Sequence, residues 1–152
     1  MQDEIMDRIM RRIDDAADNR ITDWAQDIAE MHTKFGFNDA IRKMDTEKLK
    51  AMLKFRLDFL QEELNEAIAA ETADDVVDAM IDLIVVAIGT LNAFDVKPYV
   101  AWNRVHKANM TKQAGIKPNR PNPLGLPDLM KPEGWTAPTH VDNVGLLERI
   151  YG

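Results

Sequence analysis

Two neighbouring stretches of the chain decide its fold: EELNE at residues 62–66 and VVDAMIDLIVVAIGTL at residues 76–91. Both stretches place acidic residues where a helix would bury its apolar side. In the first stretch, Leu60 and Phe59 lie three and four residues before Glu63, so at helical spacing Glu63 falls on the apolar stripe. The segment therefore predicts a helix that carries a carboxylate on its buried face.

The second stretch is apolar apart from two acids. Between Val76 and Phe94 the only charged residues are Asp78 and Asp82, which are four residues apart. They therefore stack on one side of a helix. Burying ionised carboxylates is costly unless a cation compensates them. A hard divalent metal ion, which prefers oxygen ligands, is the simplest compensation, so the pattern predicts a metal site.

Composition limits the class of protein. The chain has 152 residues, of which 45% are hydrophobic, enough for one domain with a core. Its net charge of -7 argues against nucleic acid as a partner, and the absence of cysteine excludes disulfides and thiolate metal sites. The start MQDEIMDRIMRR is unlike a secretory signal, and the longest apolar run, residues 83–89, is too short to cross a membrane. We therefore expect a cytoplasmic protein without a membrane partner.

Helical periodicity predicts an all-α chain. The predicted helices cover about residues 5–20, 22–35, 45–70, 72–94 and 95–113, with a short helix at 144–151. Thr72 followed three residues later by Asp75 is an approximate capping box, and Gly36 is a typical helix stop. Residues 114–140 hold six of the seven prolines and three glycines, which predicts an extended tail.

These segments resemble the all-α nucleoside triphosphate pyrophosphatases, the MazG-like group that includes dimeric dUTPases, dCTP pyrophosphatases and phosphoribosyl-ATP pyrophosphohydrolase. EELNE matches the EExxE motif of that group, and Asp82 fits the last residue of the ExxD motif on its next helix. Ala79 stands where that motif has glutamate, and Asp78 is the nearest acid. The segments WAQDIAEMHTKFG (24–36) and AWNRVHKANMTK (101–112) are also similar to those of MazG-like enzymes.

The resemblance implies a MazG-like helical bundle in which an antiparallel helix pair binds the metal. It implies Mg²⁺-dependent hydrolysis of the α–β phosphoanhydride of an NTP or dNTP, giving the monophosphate and pyrophosphate, with Mn²⁺ as a substitute metal. The implied metal ligands are Glu62, Glu63, Glu66, Asp78 and Asp82. Glu62 or Glu63, when free of metal, would take the proton from water. The implied substrate contacts are His32, Phe35, Asn109 and Lys112.

The periodicity, the prolines and the resemblance together suggest a division of the chain. Residues 1–20 would form an N-terminal amphipathic helix, residues 21–113 the catalytic domain, and residues 114–152 a proline-rich tail with a short terminal helix. The third and fourth helices are apolar on more of their circumference than a lone hairpin could bury. We therefore expect a homodimer or homotetramer.

Several alternatives stay open at this point. The acids could be a salt-bridged helix face, His32 a surface histidine, and Trp24 an ordinary core residue. The protein could be phosphoribosyl-ATP pyrophosphohydrolase or a non-catalytic helical interaction protein. A carboxylate di-iron bundle fits poorly, because no histidine has a glutamate three residues before it.

Overall fold

The computed structural model describes residues 4, 7, 8, 11 and 23–152. Its helices are α1 (Trp24–Lys34), α2 (Phe37–Arg42), α3 (Thr46–Ala69), α4 (Ala73–Ala93), α5 (Pro98–Met110) and α6 (Glu148–Tyr151), and a 3₁₀ turn at Gly145–Leu147 precedes α6. Two short strands, β1 (Gln113–Gly115) and β2 (Asp128–Met130), pair antiparallel. The predicted all-α class is confirmed. The predicted helix over residues 1–20 lies outside the described residues, apart from residues 4, 7, 8 and 11, which are helical.

Capping side chains set the starts of the long helices. Asp45 accepts the backbone N–H of Lys48 and begins α3, as predicted. At the start of α4, Thr72 and Asp75 each accept the other's backbone N–H at 3.1 Å, so the predicted capping box is confirmed. The cap of α1 is Asp23, one residue after the predicted start.

α2 and the two strands were not predicted, whereas the short helix predicted at residues 144–151 is present as the 3₁₀ turn and α6. α1 ends just before Gly36, as predicted, and the φ of 67° at this glycine turns the chain directly into α2. β1 and β2 lie within and beside the predicted extended tail, and they pair Gln113 with Met130 across a long loop. A six-residue helix and a pairing of distant residues leave too little local periodicity to be recognised.

The core lies at the end of the α3–α4 pair where α3 begins and α4 ends. Its fully buried members are Ile41, Leu49, Ala93, Phe94 and Val96. The C-terminal segment covers this core, because the N–H of Leu146 donates to the carbonyl of Phe94 at 2.7 Å. Asn143 adds a second attachment through two hydrogen bonds to the backbone of Lys97. This attachment lies at the end of the α3–α4 pair that is opposite the short connection between the two helices.

α4 is more exposed in the single chain than its composition would suggest. Val76, Val77, Met80 and Ile81 are all exposed. By length and composition alone, α4 is the one helix in the described part of the chain that could cross a membrane, a test that core helices of soluble proteins also pass. The expectations of a homo-oligomer and of no membrane partner both stay predictions.

Candidate active site

The five predicted metal ligands lie at one end of the α3–α4 pair, where α3 ends and α4 begins. The three glutamates occupy the last turns of α3, and the two aspartates follow in the first three turns of α4. Because the chain reverses over only a few residues, both helices bring their acids to the same end. We call this group the acid cluster: Glu62, Glu63, Glu66, Asp78 and Asp82.

Glu63 is the buried member of the acid cluster. It is 7% exposed, whereas Asp82 is half-buried and Asp78 is exposed. Its Oε2 atom is buried and has no hydrogen-bond partner among the described residues. A buried acceptor without a donor loses its hydration without compensation. Glu63 therefore has the unfavourable surroundings that its place on the apolar stripe predicted.

The surroundings of Glu63 favour its neutral form. Loss of hydration is the largest cause that raises the pKa of Glu63 above its usual value. The negative charges of Glu66, Asp82, Glu62 and Asp78 raise this pKa further, in that order. All four neighbours therefore act on one buried carboxyl, and the cluster is electrostatically coupled across both helices.

The acid cluster fits a divalent cation by its chemistry. Carboxylate oxygens are the donors that Mg²⁺ and Ca²⁺ prefer, and the unpaired Oε2 of Glu63 lacks a positive partner. The side chains are gathered but not arranged for chelation, since within residues 23–152 and the four helical residues before them no three acidic or histidine side chains form a metal-binding group. Metal binding would therefore require the carboxylates to reorient.

An open depression gives solvent access to the acid cluster. It has a volume of about 520 Å³ and runs along the outer side of the last turns of α3. Its lining residues are Asp58, Gln61, Glu62, Asn65, Glu66 and Ala69. A charged ligand can therefore approach Glu62 and Glu66 without displacing the core.

A smaller apolar pocket lies between α1 and α4, next to the acid cluster along α4. Its volume is about 200 Å³, and it is lined by Trp24, Asp27, Ile28, Ile81, Ile84, Val85 and Ile88. Trp24 is 49% exposed, so its interpretation as an ordinary core residue was wrong. The stripe formed by Ile81, Ile84, Val85 and Ile88 has helical spacing, and it was the available signal that α4 has a second apolar face.

His32 does not lie at the acid cluster. It is buried on α1, and its Nδ1 lies 2.7 Å from the Oδ1 of Asn92. Asn38 also donates to Asn92 Oδ1, so this oxygen links α1, α2 and α4. Asn92 follows Asp82 by ten residues, which separates the two by about 15 Å along α4. In this structure His32 is part of a buried polar network between helices.

The other predicted substrate contacts are spread over the surface. Phe35 is exposed at the end of α1. Lys112 donates to the Oδ1 of Asn109 at 2.9 Å, and its ammonium lies 5.4 Å from the centre of the Trp135 ring. Lys131 lies over the same ring at 5.0 Å, so the indole joins the end of α5 to the tail. In this structure the side chain of Lys112 therefore contacts Asn109 of α5 and Trp135 of the tail.

Comparison with known proteins gives one result. The model of the family described as phosphoribosyl-ATP pyrophosphohydrolase matches residues 28–109, more than half of the chain. The matched span includes the whole acid cluster together with His32, Phe35 and Asn109, and it stops before Lys112. No curated protein and no solved structure matches the chain.

Proposed function

We propose that this chain, which belongs to the phosphoribosyl-ATP pyrophosphohydrolase family and is therefore a hydrolase of nucleotide phosphoanhydrides, acts on an NTP or dNTP. The bond cleaved would be the α–β phosphoanhydride, and the products would be the monophosphate and pyrophosphate. The observation that carries the proposal is the environment of Glu63. This carboxyl is buried, its Oε2 has no hydrogen-bond partner among the described residues, and four further acids surround it. A non-catalytic interaction protein is no longer an alternative, since the family is enzymatic.

The acid cluster requires a cation if a triphosphate is to bind beside it, because both carry negative charge. Glu62, Glu63, Glu66, Asp78 and Asp82 would hold Mg²⁺, or Mn²⁺ in its place. Bound Mg²⁺ would neutralise phosphate charge and lower the pKa of water. The unpaired Oε2 of Glu63 supports this assignment.

The proton of the attacking water would pass to a glutamate of the chain. Glu62 and Glu63 are the candidates, and whichever of them is free of metal would act as the general base. No covalent intermediate with the chain is needed.

The apolar pocket beside Trp24 would hold the nucleobase. An exposed indole offers a face for stacking, and the isoleucine stripe of α4 supplies the opposite wall. Phe35 follows Trp24 by eleven residues, about 16 Å along α1, so it would contact a part of the substrate outside this pocket. Asn109 and Lys112 would contact the sugar or a phosphate oxygen. His32 would support the pocket indirectly, because it is buried and holds α1 against α4 through its hydrogen bond with Asn92.

Phosphoribosyl-ATP is the second candidate substrate, because the matching family model carries that description. It adds an anionic phosphoribosyl group to the nucleotide. Among the described residues that line the apolar pocket, none is Lys or Arg, and Asp27 is one of them. Such a pocket favours an unsubstituted base over a base that carries a phosphate.

We keep three further expectations as part of the proposal. A homodimer or homotetramer would cover the exposed apolar residues of α4, such as Val77 and Met80. The net charge of -7 supports a protein that binds no nucleic acid. The third expectation is a cytoplasmic location.

A substrate panel tests the proposal. The full chain is incubated with each NTP, each dNTP and phosphoribosyl-ATP in a Mg²⁺ series, and pyrophosphate release is measured. We expect one or a few triphosphates to be hydrolysed, with none hydrolysed when EDTA is present. Trp24→Ala should raise KM for these substrates while kcat changes little, because it removes only base stacking. Turnover of phosphoribosyl-ATP alone would overturn the substrate assignment.

A further inference from the structure

Arg56 is a buried cation without an acidic partner. It lies on α3, is 7% exposed, and belongs to none of the ion pairs among the described residues. Its Nε donates to the Oγ1 of Thr90 at 3.0 Å, and its Nη2 donates to the carbonyl of Val86 at 2.9 Å. The rings of Phe37 and Phe59 lie 5.9 and 5.8 Å from its guanidinium carbon. Carbonyl, hydroxyl and aromatic faces therefore compensate the charge.

Thr90 closes a triangle of hydrogen bonds. Its hydroxyl accepts from Arg56 and donates to the Val86 carbonyl at 2.7 Å, the same oxygen that Arg56 reaches directly. We call this group the Arg56 triangle: Arg56, Val86 and Thr90. Among the described residues, the side-chain hydrogen bonds between α3 and α4 all come from Arg56.

Gly89 makes room for the Arg56 triangle. A Cβ atom at this position would lie 2.7 Å from Nη2 of Arg56 and 3.4 Å from Nε2 of His32. Glycine is unfavourable inside a helix, so its presence there is consistent with the close approach of the guanidinium. The triangle and the His32 network therefore meet at one point of α4.

The Arg56 triangle is close to the acid cluster along both helices. Arg56 precedes Glu63 by seven residues, about 10 Å along α3, and Val86 follows Asp82 by four residues, about 6 Å along α4. The acid cluster thus lies between two attachments: the short connection from α3 to α4 on one side and the triangle on the other. The like charges that act on Glu63 come from both helices, so their repulsion opposes close approach of α3 and α4 between these points.

We propose that Arg56 is a positioning residue that sets the register of α3 against α4, and with it the separation of Glu63 and Asp82. The apolar contacts along the pair are non-directional and tolerate sliding. Hydrogen bonds to one carbonyl and one hydroxyl do not, because they require a particular distance and direction. The proposal rests on the proposed function, since the register matters for catalysis only if the acid cluster binds metal.

The first test measures metal dependence. Arg56→Lys keeps the charge but loses the two-pronged contact, and Thr90→Val removes the hydroxyl at nearly constant volume. Both should raise the Mg²⁺ concentration for half-maximal activity by about tenfold, while KM at saturating Mg²⁺ stays near the parent value. Ile41→Val, a substitution in the core at the far end of the pair, is the control for lost stability and should leave the Mg²⁺ dependence unchanged.

The second test does not depend on catalysis. The chain has no cysteine, so Asn65→Cys and Ala87→Cys, both at exposed sites on α3 and α4, allow specific spin labelling. Electron–electron distances are measured without metal, with labelled protein diluted in unlabelled protein. The distance distribution should broaden or shift in Arg56→Lys and Thr90→Val but not in Ile41→Val.

The outcomes separate this proposal from the proposed function. An unchanged distance distribution in both variants would overturn the role of Arg56, whatever the activity. A changed distribution with unchanged Mg²⁺ dependence would also overturn it, since the register would then be irrelevant to the site. If the parent protein needs no metal, the proposed function fails, and Arg56 is rejected as a positioning residue on that ground even if the distances change.

Discussion

Glu63 and Arg56 lie on the same helix and are equally buried, at 7% exposure each, yet their surroundings differ completely. Arg56 donates hydrogen bonds to two groups of α4 and lies against two aromatic rings. One oxygen of Glu63 has no hydrogen-bond partner in the described part of the chain, and like charges surround this residue. Burial is therefore the same, and the compensation of the buried charge is what distinguishes the Arg56 triangle from the acid cluster.

This difference indicates which of the two regions, the acid cluster or the Arg56 triangle, binds a ligand. A buried charge whose hydrogen bonds are all made within the chain can contribute to the fold without a bound ligand. A buried charge that repels its neighbours lowers stability, and such groups are concentrated at functional sites. By this reasoning the Arg56 triangle stabilises the register of the helix pair. The stability of the acid cluster would depend on a bound cation.

The largest expected effect comes from removing charge at the acid cluster. Glu63→Gln and Asp82→Asn should lower kcat by more than about 100-fold, because even outer partners of a metal ligand are typically worth 10- to 100-fold. Without metal, both variants should unfold at the same temperature as the parent or higher, since a repulsive charge is removed. Activity and thermal unfolding in EDTA are measured on the same preparations.

The control for this pair is Glu47→Gln, an exposed acid in the first turn of α3 that pairs with Lys50. It makes the same chemical change far from the acid cluster and should keep parental kcat. Near-normal turnover in Glu63→Gln or Asp82→Asn would remove the contrast between the two ends of the helix pair.

Local signals made the long helices predictable. The starts of α3 and α4 depend on a side chain and the backbone three residues away, as with Asp45 and Thr72, so the sequence alone indicates them. The burial of Glu63 followed from helical spacing to Leu60 and Phe59 for the same reason. These features need no knowledge of how the helices pack.

Features that depend on packing were missed. Trp24 lies at the first position of α1 and is half exposed, whereas His32 follows the buried Ile28 by four residues and is buried against α4. Helical spacing therefore indicated a buried His32, but only the packing decides how far the contact between α1 and α4 reaches towards Trp24. The Arg56 triangle joins residues 30 and 34 positions apart. A lone arginine in the apolar stretch before EELNE carries no signal of its partners on the next helix.

An intermediate effect is expected from Asp78, which stands beside the position where the family motif has glutamate. Asp78 is exposed and Ala79 is buried, so Asp78 would reach a metal from the rim or through a water. Asp78→Asn should lower kcat by about tenfold and raise the Mg²⁺ requirement, as expected for an indirect ligand. Kinetics over a Mg²⁺ series measures both quantities.

Asp75→Asn is the matched control for Asp78, because it makes the same substitution three residues earlier. Asp75 accepts the N–H of Thr72 in the capping box, so this variant should cost at most about 1 kcal/mol of stability and leave kcat unchanged. Parental kinetics of Asp78→Asn at every Mg²⁺ concentration would mean that four carboxylates suffice for the site.

The smallest expected effect belongs to the satisfied end of the pair, where His32 lies next to Gly89. Burial is the main cause that lowers the pKa of His32, the hydrogen bond to Asn92 opposes it, and the charge of Arg56 adds to the lowering. The unfolded chain therefore takes up the proton first as the pH falls. Stability is fully present above the ordinary histidine pKa of about 6.5 and is lost as the pH drops below it, with a slope of at most about 1.4 kcal/mol per pH unit.

Urea unfolding in EDTA between about pH 7.5 and pH 5.5 measures this slope. His32→Gln can still donate to Asn92 but cannot become charged, so its stability should depend less on pH than that of the parent. His106→Gln removes an exposed histidine of α5 and should keep the parental slope. Equal slopes for the parent and His32→Gln would show that the network around Asn92 tolerates a charged imidazole beside Arg56. Neutral surroundings would then matter less for the stability of the region around His32 and Arg56 than the comparison of Arg56 with Glu63 implies.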